Sequence, residues 1–423
     1  MSSASDVQRY IDSNRQELFQ LLSDMIRINT ENTGSDGRET PLALYMGKTL
    51  RELGVEHCVY SPDSLPGIRE HPDYLPGRRL GERMNITARL PGKSGGRSLM
   101  LAAHLDTVPI GDPSLWTVPP TEGLIRDGRI YGRGACDDKY ALAAWLFLVK
   151  AFRELGVTLR NDLYFSGYVD EEFGGGNGAL ACCLKYPCDH YLNLDGDNFD
   201  IWNHAVGGQR IALYIKCDRP LASCERMIDG LMLCKERIDA FGARRKAELA
   251  ANEGFRDSDI PASALRYLSI SSGTNTNDRN RACLDFAFYT DKDRQSITEE
   301  LDRLFRSISG ELEPLGLSIE KVCYKSRFFN YGSIADTEPN VCLLKSAARA
   351  SVGRELAVRP SCLSDLSLFL GCAPGRAFAF GAGRDFDVYG GAHLPDEFIE
   401  CDRLVEFTKI LAGFLFTWDE QNG

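Results

Sequence analysis

His104, Asp106, Asp137, Asp138, Glu171, Glu172, Asp195 and His393 are imidazoles and carboxylates, the donor types that a divalent zinc ion accepts. Two such ions can share a site roughly 3.5–4 Å across when a bridging carboxylate and a bridging water offset their repulsion. These residues fall in five segments, His104 with Asp106, Asp137 with Asp138, Glu171 with Glu172, Asp195, and His393, and five ligands with one shared would give each ion three. The chain has only six histidines, and two of them fall where a ligand is wanted. The chemistry expected is metal-assisted hydrolysis.

Each motif has a plainer reading beside it. His104 alone would also suit a structural imidazole at a strand end. With Asp106 two residues on, that carboxylate is expected to accept a hydrogen bond from the ring nitrogen opposite the metal, fixing the tautomer. Gly132 and Gly134 can take positive φ and deliver Asp137 just before a helix starting near Lys139. Asp137 is preferred as the bridging carboxylate and Asp138 as the helix cap or a supporting group, although either aspartate could cap. The run of three acids and three glycines at 170–176 reads poorly as a phosphate loop, because the acids would repel a pyrophosphate and no Lys-Ser/Thr follows. An acidic surface turn is the bland alternative. Neighbouring glutamates, one on a metal and one free to take a proton, are what hydrolysis needs. His393 lies in a Gly-rich segment at 390–397, and Cys136 beside Asp137 reads as a packed thiol.

The elements that must hold these groups follow from periodicity. Helices are expected at 7–28, 42–53, 139–155, 341–350, 363–370 and 404–418, and strands at 86–90, 98–103, 163–169, 190–194 and 377–380. This alternation predicts an α/β fold with a mostly parallel, twisted sheet flanked by helices. His104, Glu171, Glu172 and Asp195 each lie just past the carboxyl end of a strand, where open sheets place their ligands. A Pro/Gly-rich stretch at 61–82 reads as a surface loop. Between 208 and 325 the pattern becomes a smaller α+β unit, with strands at 210–217, 264–271 and 282–289 and helices at 221–251 and 297–308. The expected division is therefore 1–207 with 326–423 as the metal-binding domain, and 208–325 as an insert.

A chain of 423 residues with 43% hydrophobic content exceeds what a single core usually supports. Its net charge of −11 argues against nucleic acid or anionic membrane as partner, and no run approaches the ~18 apolar residues of a membrane span. Fourteen scattered cysteines without a C-x-x-C pair read as reduced thiols, which implies the cytoplasm.

In order and surroundings these residues resemble the dinuclear zinc aminoacylase and carboxypeptidase family, which includes acetylornithine deacetylase, succinyl-diaminopimelate desuccinylase and dipeptidases. HLDTVP at 104–109, DPSLWTVPP at 112–120, DGRIYGRGACDDK at 127–139 and DEEFGGG at 170–176 carry the likeness. The resemblance implies that Asp137 bridges, that His104 and Asp195 complete one ion, and that Glu172 and His393 complete the other. Glu171 would be the general base for a metal-bridging water, and the insert a lid and homodimerisation domain. The implied cofactor is two divalent ions, zinc first and cobalt or manganese as substitutes. The implied substrate is an N-acyl amino acid or short peptide, with Asn277 and Arg384 as candidate anchors and Arg279 and Arg281 as weaker ones. The chain departs from the family in three places. No histidine exists between His204 and His393, where the family's lid carries one that polarises the carbonyl; Tyr289 to Asp293 stands where an arginine is usual; and Tyr140 replaces a glycine. These departures keep two alternatives open, a specialised amide hydrolase or amide-forming enzyme, and a non-catalytic metal-binding scaffold.

Overall fold

A computed structural model of the protein describes residues 3–93, 95–219, 225–272 and 280–422. The chain divides into two compact units: Met1–Asn203 with Ser333–Arg359 and Leu368–Gly423, and His204–Gly332 with Pro360–Ser367. The sequence places these boundaries at 208 and 325 and has no counterpart for the short 360–367 segment.

The larger unit is built on a wide mixed sheet. Ser98–His104 lies at its heart, parallel to Asp162–Tyr168 on one side and to His190–Asn193 on the other, and Ala377–Phe380 extends the parallel set beyond His190–Asn193. Leu99, Met100, Leu101, Ala102 and Ala103 are all buried, as expected of a strand covered on both faces. The flanks turn antiparallel: Asn85–Leu90 pairs with Asp162–Tyr168, Glu56–Tyr60 pairs with Asn85–Leu90, and Ile201–Ala205 pairs with Ala377–Phe380. The sheet is thus parallel only in its centre, which is the part that matters for the ligands.

Lys139–Glu154 buries thirteen of its sixteen residues, including Trp145 and Phe147. A helix apolar on every side belongs inside, and its aromatic and aliphatic side chains each contribute about 1.5–3 kcal/mol on burial. The helix expected over 7–28 is two helices, Ala4–Ser13 and Arg15–Arg27. Asn14 between them leaves helical geometry, and its side-chain amide donates back to the Tyr10 carbonyl at 2.8 Å. Asn competes with backbone bonding in this way, so apolar spacing alone runs through the break. The stretch at 61–82 is anchored rather than merely superficial: Ile68 and Leu80 are buried, and the Leu75 amide donates to Asn177 at 2.9 Å.

In the smaller unit, four antiparallel strands run in the order Leu265–Ser272, Arg281–Thr290, Gly207–Lys216, Ser318–Tyr324. Ile211, Leu213 and Ile215 alternate inward and pack with Ile238 and Phe241 of Glu225–Ala251 and with Ile297, Leu301 and Ile308 of Arg294–Leu312. This is the α+β pattern the sequence predicts.

Candidate metal centre

Parallel registry brings the ligand-bearing strand ends together. His104 sits beside Tyr168 in the ladder, so the turn after Tyr168 emerges next to it, and the Leu194 amide donates to the Ala102 carbonyl at 2.7 Å to bring Asp195 alongside. Asp137 arrives from a separate loop in which Gly132 and Gly134 take φ of 141° and 86°, conformations a side chain would resist. The Asp137-Asp138 peptide is cis.

The imidazole of His104 is held from behind. Its Nδ1 lies 2.8 Å from the backbone carbonyl of Asp106, leaving Nε2 aimed at Asp137 Oδ1 at 2.9 Å. The expected partner, the Asp106 carboxylate, is 3.7 Å from that nitrogen. The carboxylate is already occupied: it accepts from Asn32 Nδ2 at 2.8 Å, from the Glu171 amide at 3.0 and 3.1 Å and from the Glu172 amide at 3.1 Å. Asp106 therefore orients the imidazole through its backbone and the two glutamates through its side chain.

Asp137 presents its two oxygens to different histidines, Oδ1 to His104 and Oδ2 to His393 Nε2 at 3.0 Å. His393 Nε2 also meets Glu172 Oε2 at 2.7 Å, while Glu172 Oε1 accepts from the Val108 amide at 3.0 Å. The donor atoms of His104, Asp137 and Glu172 lie within 4.8 Å of one another, as do those of His104, Glu171 and Asp195. All five expected ligands and Glu171 are thus brought to one place. Asp138 does not cap its helix with its side chain; it accepts from the His104 amide at 3.3 Å, and its other oxygen is buried without a hydrogen bond.

Electrostatics bear the mark of a cation site. Burial alone would raise the Asp137 pKa, yet hydrogen bonds from His104 and His393 hold it below the usual carboxylate range. Burial would lower both histidines, but Asp137 and its acidic neighbours raise His104 well above normal, and Glu172 with Asp137 pushes His393 up to about 11. Burial raises Glu172 and, with Asp195 and Asp137 nearby, Asp138. Protons on the imidazoles here do what bound cations would do: they neutralise clustered buried carboxylates. The bridging split of Asp137, the imidazole and carboxylate donors and the orphaned Asp138 oxygen fit a pair of divalent ions.

Several supporting residues escape sequence reasoning. Glu397 accepts from the Gly134 amide at 3.1 Å, the Cys136 amide at 2.9 Å and Arg133 at 2.7 Å, while Arg133 also reaches the His393 carbonyl at 3.3 Å. This clamp locks the Asp137 loop to the His393 segment; the signal was an acid four residues after the histidine. Lys139 turns away, donating to Met25 and Ile28 carbonyls at 3.2 and 2.9 Å, and burial lowers its amine to about 7. Arg384, a candidate substrate anchor, bonds Glu400 at 2.5 Å and the Tyr389 carbonyl at 3.1 Å and lies over the Phe398 ring. A substrate carboxylate would have to displace Glu400. Arg281 pairs with Glu320 at 2.8 Å, and Asn277 and Arg279 lie outside the described residues.

The sequence profile of peptidase family M20/M25/M40 matches residues 100–417. The chain is 24% identical to N-formyl-4-amino-5-aminomethyl-2-methylpyrimidine deformylase of Bacillus subtilis (strain 168), over 97% of each chain. Its fold is similar to the dipeptidase Dug1p of Saccharomyces cerevisiae, with a TM-score of 0.77, 18% identity and 99% of both chains covered. It is similar also to human carnosine dipeptidase 1, with a TM-score of 0.75, 17% identity, and 99% of this chain and 100% of that one covered.

Proposed function

The chain belongs to peptidase family M20/M25/M40 and is a metal-dependent hydrolase of amide bonds, and from that premise we propose that it cleaves the amide of an N-acyl amino acid or short peptide with Glu171 as general base. The single observation that supports this most is the place of the Glu171 carboxylate beside His104 and Asp195, on a turn whose amide Asp106 pins at about 3 Å. Asp137 would bridge the two ions, with His104 and Asp195 completing one and Glu172 and His393 the other. Zinc suits these donors best, and cobalt or manganese would be accepted. Bound there, the pair supplies Lewis-acid activation of water and of the scissile carbonyl. Glu171 takes a proton from the attacking water and hands it to the leaving nitrogen, and Asp106 holds it in register for both transfers. In the test, Glu171→Gln is purified, its metal content measured and its turnover assayed on acyl amino acids and dipeptides. Retained metal with turnover lost is the expected result; full turnover removes Glu171 from the role.

A second reading, a specialised non-peptide amide as substrate, is favoured by the missing histidine between His204 and His393 and by the deformylase activity in the name of the Bacillus subtilis relative. A panel of dipeptides, N-acyl amino acids and N-formyl amines separates the two, since robust dipeptide turnover would speak against it.

The smaller unit is proposed as lid and homodimer interface. Its edge strand Leu265–Ser272 exposes Leu268 and Ile270, and Glu225–Ala251 exposes Ile228 and Met232. Apolar exposure on a strand that is the edge of its sheet among the described residues, and on a helix of the same unit, would suit a second copy. No helix among the described residues is long and apolar enough to cross a membrane. The described cysteines are free thiols, which suits the proposed cytoplasmic location.

A further inference from the structure

Tyr140 stands where the family resemblance implies a glycine, and its ring is fully buried at the start of Lys139–Glu154. Its hydroxyl lies 3.1 Å from the Leu194 carbonyl and 3.1 Å from the Gly196 carbonyl, the two peptide oxygens that flank Asp195. It also accepts from the Ala382 amide at 2.8 Å. A single phenol thereby meets two segments: the turn that presents Asp195, and the segment after Ala377–Phe380 that runs on toward His393. The two segments are laced together directly, Gly383 donating to the Gly196 carbonyl at 2.9 Å and Phe199 to the Gly381 carbonyl at 2.8 Å. The phenol's own backbone lies three residues after Asp137 on the same loop-to-helix junction.

We infer that Tyr140 is a positioning residue for the metal centre, fixing the Asp195 turn relative to Asp137 through its hydroxyl. A hydroxyl has one proton and two lone pairs, so donating between two carbonyls while accepting from an amide nearly saturates it. Rotation of the Asp195 turn would break the carbonyl contacts, and movement of the Ala382 segment would break the amide contact. A glycine here could make none of these bonds, so the departure adds a constraint rather than removing one. The ring itself packs against Phe407, with centroids 5.1 Å apart, and would stay in place if the hydroxyl were lost.

The inference rests on Asp195 being a metal ligand. The test titrates metal-free wild type, Tyr140→Phe, Asp195→Asn and Tyr60→Phe with Co2+ alone, followed by visible absorption and metal analysis, with melting temperatures recorded on the metal-free proteins. Tyr60 is the control, because its buried hydroxyl bonds Thr87, Asn85 and Cys182 and no candidate ligand. Y140F is expected to bind one of two Co2+ ions about tenfold more weakly, with a changed absorption spectrum, while Y60F binds both as wild type. Wild-type affinity and spectrum in Y140F overturn the inference, as does a loss in Y140F no larger than that in Y60F at matched melting temperature. If D195N also keeps both ions at wild-type affinity, the metal reading of Asp195 itself fails; if D195N loses one and Y140F does not, only the role of Tyr140 falls.

Discussion

Two clusters of carboxylates, one fully buried and one mostly half-buried, meet at one peptide bond. Asp170 belongs to the first: it bonds Arg83 at 3.1 Å, lies 3.7 Å from Arg78 and accepts from Asn177 at 3.2 Å, and Arg83 also forks onto Glu39. Glu171 and Glu172, the next two residues, belong to the second, with Asp137, Asp138 and Asp195. The first cluster is neutralised by guanidinium groups that never give up their charge. In the second, Asp137 and Glu172 pair with imidazoles, whose positive charge is a removable proton. Identical acids therefore serve two ends. Paired with arginine they fix the turn, and paired with histidine they are left able to exchange a proton for a metal ion.

The strongest way to break this comparison is to show that the second cluster is also merely structural. Glu171→Gln removes a proton acceptor without changing shape, so turnover is expected to fall about 10²–10⁴-fold, with metal content and melting temperature near wild type. If instead stability drops and activity follows in proportion, the two clusters do the same job.

The converse experiment strikes the first cluster. Arg83 is wholly buried, and Arg83→Met leaves Glu39 and Asp170 as uncompensated acids, a change that costs about 3–5 kcal/mol when a buried pair is broken. Burial already raises Glu39 to about 7 even with Arg83 beside it. Chemical denaturation should show the loss, and it should be smaller at acid pH, where Glu39 and Asp170 can be neutral. A variant as stable as wild type at neutral pH would mean that the arginine contributes nothing net.

A smaller effect is expected where the clusters touch. Asp106 holds the amides of Glu171 and Glu172, so Asp106→Asn should lower kcat or metal affinity about 10–100-fold while leaving the fold intact. Unchanged kinetics would show that the turn holds its shape through Asp170 alone.

What could be read from the sequence follows from the same contrast. The candidate site residues stood out because His104, Asp137, Glu171, Glu172 and Asp195 occupy strand ends and a Gly-flanked loop, features that local periodicity and composition reveal. The arginine network did not, because Glu39 and Arg83 are 44 residues apart and Arg83 and Asp170 are 87 apart, and nothing local marks either as buried. The partner of the His104 ring was assigned to the Asp106 carboxylate for a related reason: three amide donors from distant segments claim that carboxylate, and spacing is blind to them. Glu397 was hidden likewise, since its bonds reach back more than 260 residues to the Asp137 loop.

The subtlest expected effect is a reversal of sign with pH. In the metal-free protein the His393 pKa is raised from its unfolded value of 6.5 to about 11 by Glu172 and Asp137, against burial. A group raised on folding stabilises fully below its unfolded pKa and loses that contribution as pH climbs to its folded one. His393 therefore makes the metal-free protein progressively less stable between pH 6.5 and about 11. Metal binding requires the neutral imidazole, so the loaded protein should show the opposite trend, its ions held more tightly as pH rises from acid toward neutral and beyond. Melting temperatures of chelated and metal-loaded protein, measured at steps across pH 6–9, should diverge as pH increases. The Arg83 cluster includes no candidate metal ligand, so its own titration, with Glu39 raised by burial to about 7, contributes equally to both forms and cancels in the comparison. Parallel curves for the two forms would mean that the histidines and the metal do not compete, and the distinction between an arginine-locked and a histidine-held acid cluster would lose its functional meaning.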